Sequence, residues 1–396
     1  MTLWEILKAN KTGIAPDMFT MLAASKMNGG RDRLHELSGI PPLSFTAKGK
    51  PLTAWSITGN TVQNGTPTPE NPVEVQSVGD YDSETGLYRI PIVTRGKNLL
   101  KLKEVNLTVK GVTISIKNNS ITVKGTAKAS GGRATYLSGN FVLQPGTYFI
   151  SGDIVNGMFY CLTDISNGKA VIASSTSKFT LTEKTKVAFG LNFINGVSYD
   201  ATVSVMLNEG NKILPYEPYH EPITTPIYLD SPLYKIGNYA DRLSSTEEVR
   251  VVKELVLTGK ENWYYMPNYD VENTVRIYSL GILTDRKGTM LDLCSHFERM
   301  DYHSLNVSNK PAFSIASGTQ LVFRVSKAEG SAVTYFKSYL AAQYAAGTPV
   351  KVYYVLATPE TKTVEPVKIP TLNGTTVIDV DTAVKPESMT IKYKAV

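Results

Sequence analysis

Residues 114–124 read ISIKNNSITVK, and their order settles what kind of chain this is. Ile114, Ile116, Ile121 and Val123 alternate with Ser115, Lys117, Thr122 and Lys124, so a strand of period two has one apolar face and one wet face. Asn118-Asn119 supplies a two-residue turn between the two runs. The stretch predicts an antiparallel hairpin, the unit of a sheet buried on one side only.

Outward from it the same period recurs. Phe141 and Leu143 lead into Pro145-Gly146 and out through Tyr148 and Ile150, which predicts a second hairpin. Val187, Phe189, Leu191 and Phe193 alternate with small or polar residues, and Val203, Val205 and Leu207 follow. Residues 96–219 therefore read as a β-sandwich insert. It interrupts a platform made of 41–95 and 220–260, whose strand-like pieces are Trp55–Ile57, Tyr88–Ile92, Ile227–Leu229 and Val249–Leu257.

Residues 261–396 read as a second β-module with one helix. Val275–Ile282, Leu321–Val325 and Val350–Leu356 are its strands. Val333, Phe336, Leu340 and Tyr344 mark one helical face, which Gly347 and Pro349 end. Thr375–Ile378 and Met389–Tyr393 form a closing hairpin for that module. The fold class expected is mainly β: tandem antiparallel β-sandwich modules of jelly-roll type.

Three proline-rich runs punctuate the chain: Asn60–Asp80 (NTVQNGTPTPENPVEVQSVGD), Leu214–Pro226 (LPYEPYHEPITTP) and Val355–Pro370 (VLATPETKTVEPVKIP). Proline fixes φ and lacks an amide hydrogen, so these runs read as stiff spacers holding modules apart. Residues 1–40 read as a helical prefix. Thr2 and Glu5 have capping-box spacing, Leu3, Trp4, Ile6 and Leu7 supply a first apolar cluster, and Phe19 and Leu22 follow Pro16 as a second. Two such short helices bury too little surface to stand alone, which predicts docking on this chain's body or on another subunit, the latter favoured as an anchor.

The 396 residues exceed what one core serves, and 42% hydrophobic residues suffice for globular folding. The start MTLWEILKANK has no signal-peptide pattern, and no run approaches the ~18 apolar residues of a membrane span, so a soluble chain made in the cytosol is expected. Cys161 and Cys294 fall in different modules and read as separate buried thiols. The net charge of +6 is too small to suggest a nucleic-acid partner, but it is unevenly placed. Between residues 96 and 135, Lys97, Lys101, Lys103, Lys110, Lys117, Lys124, Lys128 and Arg133 face only Glu104.

Several phrases together carry a likeness: residues 37–80, beginning LSGIPPLSFTAKGKP, then RGKNLL (95–100), ILPYEPYHEPITTPIYLDSPLYKIGNYADRL (213–243), YYVLATPE (353–360) and GTTVIDVDTAVKPESMTIKYK (374–394). In this order the chain resembles tail, baseplate and fibre-like structural proteins of phages of Gram-positive bacteria. The segment 96–219, with FVLQPGTYFISG at 141–152, is similar to their jelly-roll carbohydrate-binding modules. The resemblance implies a virion component assembled in the host cytoplasm. It would anchor through its N-terminal segment to other virion proteins, present modules to a host cell-wall glycan, and form a homo-oligomer, a trimer by first expectation. A head-fibre or decoration protein without ligand is the alternative, and a cell-wall polysaccharide hydrolase the least favoured one.

No enzyme template fits. The chain has no Gly-x-Ser-x-Gly elbow, no Walker loop, no Gly-x-Gly-x-x-Gly and four histidines, so it reads as non-enzymatic and without a cofactor. Cys294, His296 and His303 fall short of a four-ligand zinc set, and Asp80, Asp82 and Glu84 before Gly86 lack the spacing of a calcium loop, so no metal is expected. For glycan binding the insert offers Tyr136, Phe159 and Tyr160 as stacking rings with Asn192 beside them. Lys117 and Lys124 are offered toward anionic wall polymers. Trp263 and Tyr265 share one strand face that reads as core.

Overall fold

The structure is a computed structural model, and it describes residues 34–130, 136–153, 155–174, 178–289 and 291–394. Among them the chain is mainly β. Leu3, Trp4, Ile6, Leu7, Phe19 and Leu22 of the expected anchor lie outside the described residues. The end of the expected helical prefix is corrected: Leu34–Gly39 is a strand, paired antiparallel with Ser388–Lys394 from Leu34↔Lys394 to Gly39↔Met389.

Two sheets face each other across the platform core. One has seven strands in the order 34–39, 388–394, 54–58, 242–244, 247–257, 350–363 and 293–294. The other runs 223–229, 87–95, 373–380 and 43–48, with 80–82 added against 87–89. Ile57, Ile90, Ile92, Ile378, Met389 and Ile391 are buried between them. The Trp55 indole N–H, donating to the Val367 carbonyl at 2.9 Å, closes one end. The closing strands 373–380 and 388–394 thus belong to this pair of sheets and do not complete the 261–396 module. Alternation gives each one apolar face, and their long-range register sends those faces to Phe45 and Ile57.

The insert is a two-sheet sandwich whose strands all lie between Val105 and Glu209, with Leu100 and Leu102 packed into its core. Its six-stranded sheet (178–181, 146–152, 198–209, 120–126, 112–117, 105–109) packs on a four-stranded one (141–143, 185–193, 158–164, 170–174). The 112–126 hairpin is present as expected, with φ of 49° and 58° at Asn118 and Asn119, the double positive-φ turn that matches strand twist. The second expected hairpin is corrected. Phe141–Leu143 pairs in the four-stranded sheet and Gly146–Gly152 in the other, so Gln144-Pro145 is where the chain changes sheets. The Tyr148 phenol donates to the Gln144 carbonyl at 2.9 Å and pins that corner. Asn98 joins the insert's two ends: its Oδ1 accepts from the Leu100 and Leu207 amides, and its Nδ2 donates to the Glu217 carbonyl.

In residues 258–349 a four-stranded sheet (263–265, 274–279, 320–326, 312–316) packs against the helix Ala332–Ala345 and shares a core with Val350, Val352 and Tyr354 of the long platform strand. Phe336 and Leu340 of the expected helical face are buried, whereas Tyr344, in the last turn, is 53% exposed. Gly347, at φ 77°, ends the helix as expected. A five-residue helix, Tyr302–Asn306, escaped the sequence reading; Asp301 caps it by accepting from the His303 and Ser304 amides.

The spacer reading is corrected in all three places. Residues 60–80 lie down on the body: the Val73 amide donates to the Ser295 carbonyl at 2.8 Å, Gln63 Nε2 to Cys294 O at 2.9 Å and the Tyr339 phenol to Pro69 O at 3.3 Å, while Val75 packs with Val252 and Val355. A proline-stiffened segment loses little backbone entropy on docking, which suits a strap as well as a spacer. The 214–226 run returns along the platform, where Glu217 accepts from the Thr375 amide and hydroxyl and pairs with Lys97 at 2.8 Å. The third run begins as strand, Val350–Thr363, carrying Pro359 beside a register shift where the missing amide breaks no ladder bond.

Candidate ligand-binding groove

The side chains offered for sugar stacking do not converge. Phe159 and Asn192 are cross-strand neighbours, both half-buried, on the outer face of the four-stranded sheet. Tyr160, one residue on, points inward. It is 2% exposed against Phe189, and burial pushes its phenol up to about 12, so it is core rather than contact surface. Tyr136 is 41% exposed at the insert's margin. Lys117 and Lys124 are exposed on the outer face of the six-stranded sheet, across the core from Phe159, and Lys124 stands 3.9 Å from Asp200. The lysine excess is partly answered: Lys97 pairs with Glu217 and Lys101 with Glu221 at 2.6 Å. Trp263 is core, packed edge-on to Phe323 and Phe336, whereas Tyr265 at the strand's end is exposed and donates its phenol to Asp270.

The Cys294-Ser295-His296 run is drawn into the body and His303 is left on its short helix, exposed. Burial pushes the Cys294 thiol up to about 12, so it stays protonated. Cys161 is likewise buried and free. Among the described residues no three His, Cys, Asp or Glu side chains gather in a metal-holding group.

A groove forms where the sequence signalled only an acidic turn. Asp80–Asp82 pairs with Leu87–Arg89, and the turn beyond it rises over the outer face of the five-stranded sheet. Pro91, Val93, Thr224 and Tyr228 make the floor, Arg89 stands within it, and Asp80, Asp82, Glu84 and Asp381 make the rim of a cleft of about 570 Å³. Register places Tyr228 directly opposite Arg89. Tyr81, 63% exposed, packs edge-on to Tyr88 with centroids 5.4 Å apart, and so presents its other face to solvent. The rim is tied together: Asp80 accepts from the Ala383 amide at 3.1 Å, and Asp82 from the Glu84 amide at 3.0 Å. That amide, with Thr85, holds the Asp82 carboxyl below its usual range.

The Tyr228 ring beside Pro91 and Val93 offers an apolar patch to C–H faces, and the rim of acceptors with one guanidinium offers partners to hydroxyls, a combination that suits a polyhydroxylated ligand; Tyr81, opposite Tyr88 in register, lies on the other face of the sheet. Beyond Tyr81 the cleft adjoins a second cavity of about 680 Å³ beneath the 72–77 strap. No family model, curated protein or solved structure matches the chain. No helix among the described residues is long and apolar enough to cross a membrane.

Proposed function

We propose that the protein is a virion structural component, a tail- or baseplate-associated fibre-like protein that binds a host-surface glycan in the groove of its platform. The phage-like phrases and the mainly β body support the first part, and the 105–209 sandwich is read as a jelly-roll module carried on that body. One observation carries the second part: the exposed Tyr228 ring lies beside Pro91, Val93 and Arg89 on a sheet face ringed by four carboxylates. The acidic rim repels anionic polymers, so the ligand is a neutral polysaccharide rather than a polyphosphate chain. Weak single contacts of this kind gain from multiple copies, which fits a homo-oligomer.

Whole-cell pull-down with the intact chain tests the reading. Wild-type protein sediments with Gram-positive host cells, and Tyr228→Ala, on an edge strand with an exposed ring, lowers affinity about five- to thirtyfold, in line with a stacking contact of about 1–2 kcal/mol. Equal capture by the two proteins, or none by either, refutes it and favours a ligand-free decoration role. The carboxylate cluster also motivates a rival reading as a hydrolase. There the proton-donating carboxyl needs a raised pKa, opposite to the shift at Asp82, and release of reducing sugar from purified walls would favour that rival.

A further inference from the structure

The cavity behind Tyr81 is walled by the strap residues Pro72–Ser77 on one side and by strands 247–257 and 350–363 on the other. Glu254 faces Tyr353 across the two strands, and Lys351 lies next along the same face. Lys351 Nζ is 3.0 Å from Glu254 Oε1, the Tyr234 phenol donates to Glu254 Oε2 at 2.7 Å, and the Tyr353 phenol stands beside the same carboxylate. Burial pushes the phenols of Tyr88, Tyr234 and Tyr353 upward, so all three are neutral donors at pH 7.

The charged pair keeps bonding capacity in reserve. A carboxylate has about four acceptor sites and an ammonium three donors, and the Glu254 and Lys351 side chains are 21% and 30% exposed through the cavity. Ser295 and His296 line the inner wall. Ser295 Oγ accepts the Lys351 amide at 2.9 Å and shares a hydrogen bond of 2.8 Å with His296 Nδ1. Val75, Pro232, Pro349 and Val384 supply apolar walls.

We propose that this cavity is a binding site for one neutral sugar residue, held through two adjacent hydroxyls by Glu254 and Lys351. An acceptor and a donor 3.0 Å apart are spaced as the oxygens of a vicinal diol are, one hydroxyl donating to the carboxylate and its neighbour accepting from the ammonium. Paired with each other, the two charges attract no net ion, which selects a neutral ligand. Asp80 and Tyr81 line both spaces, so a glycan lying in the groove can place its terminal residue here. The sugar class rests on the glycan reading of the groove; the site itself rests on the cavity.

Saturation-transfer NMR on the intact chain tests it, with methyl galactoside, methyl glucoside, methyl rhamnoside and N-acetylglucosamine as probes at millimolar concentration. At least one probe binds the wild type, and Glu254→Gln and Lys351→Met each weaken it about tenfold or more. Glu254→Gln keeps an acceptor for Tyr234 and so keeps the fold, as an unchanged thermal midpoint checks. Failure of all four probes, or equal affinity in both variants, overturns the proposal. If the probes fail while Tyr228-dependent cell capture persists, the cavity assignment falls and the groove reading stands. Glu254-dependent probe binding without cell capture gives the reverse.

Discussion

Arg250→Ala is expected to lower the unfolding free energy by about 3–5 kcal/mol, read from the denaturation midpoint at unchanged slope. Between Arg250 and Val252 the ladder of strands 247–257 and 350–363 loses register, and Leu356 and Ala357 turn to meet Arg286 and Asp285. The Val251 and Val252 amides turn to Asp241 Oδ1, at 2.7 and 2.9 Å, and the Tyr234 amide to Oδ2 at 2.9 Å. Asp241 is wholly buried, and burial pushes its carboxyl upward. Arg250 is what makes its ionised form tolerable: the guanidinium reaches Asp241, Glu248 and the Ser231 and Pro232 carbonyls. Without it two buried carboxylates lack a cation. Asp241→Asn added to Arg250→Ala should therefore recover part of the loss, since it removes an unpaired buried charge while its amide oxygen still accepts from the Val251 and Val252 amides, at the cost of the Tyr234 bond; a double variant weaker than Arg250→Ala alone would contradict this account.

The second large effect is expected at Arg324. Arg276 and Arg324 are register partners, both fully buried, and no carboxylate forms a salt bridge with either among the described residues. Arg324 instead gathers carbonyls: Leu305 at 2.7 Å, Tyr269 at 2.6 Å and Asn306, the first and last at the end of helix Tyr302–Asn306, where a cation meets the negative end of the dipole. Arg276 lies between the Tyr269 and Tyr302 rings at 4.3 and 4.7 Å. Arg324→Met strands three backbone acceptors, the Leu305 carbonyl fully buried among them, and should cost about 3 kcal/mol or more. Arg324→Lys should restore little of it, because a point charge cannot serve a fork of acceptors. Full stability in Arg324→Lys would mean that charge alone, not the fork, holds this layer together.

Local chemistry was well marked in the sequence, and long-range pairing was not. The 112–126 hairpin, the 185–193 strand and the end of helix Ala332–Ala345 each rest on neighbours in sequence: alternation, Asn118-Asn119, Gly347. Pro145-Gly146 marks a change of direction equally well whether the next strand pairs back or joins the facing sheet, and only the pairing of 146–152 with 198–209 decides it. Prolines likewise announce an extended chain without saying whether it is free or docked. The groove was least visible, because its acidic turn at 80–84, its floor at 91–93 and 224–228 and its wall at 381 come from distant stretches. Glu254 and Lys351 gave no signal at all; on half-buried strands they read as ordinary solvated positions.

Hydrogen–deuterium exchange on the intact chain, with and without purified cell-wall polysaccharide from a captured strain, addresses the central claim most directly. Residues 80–84, 224–228 and 381–383, which frame the groove, are expected to exchange more slowly with polysaccharide present. Protection confined to 112–126 and 198–204, the lysine-bearing face of the insert, or to 158–164 and 185–193 around Phe159 and Asn192, would contradict it.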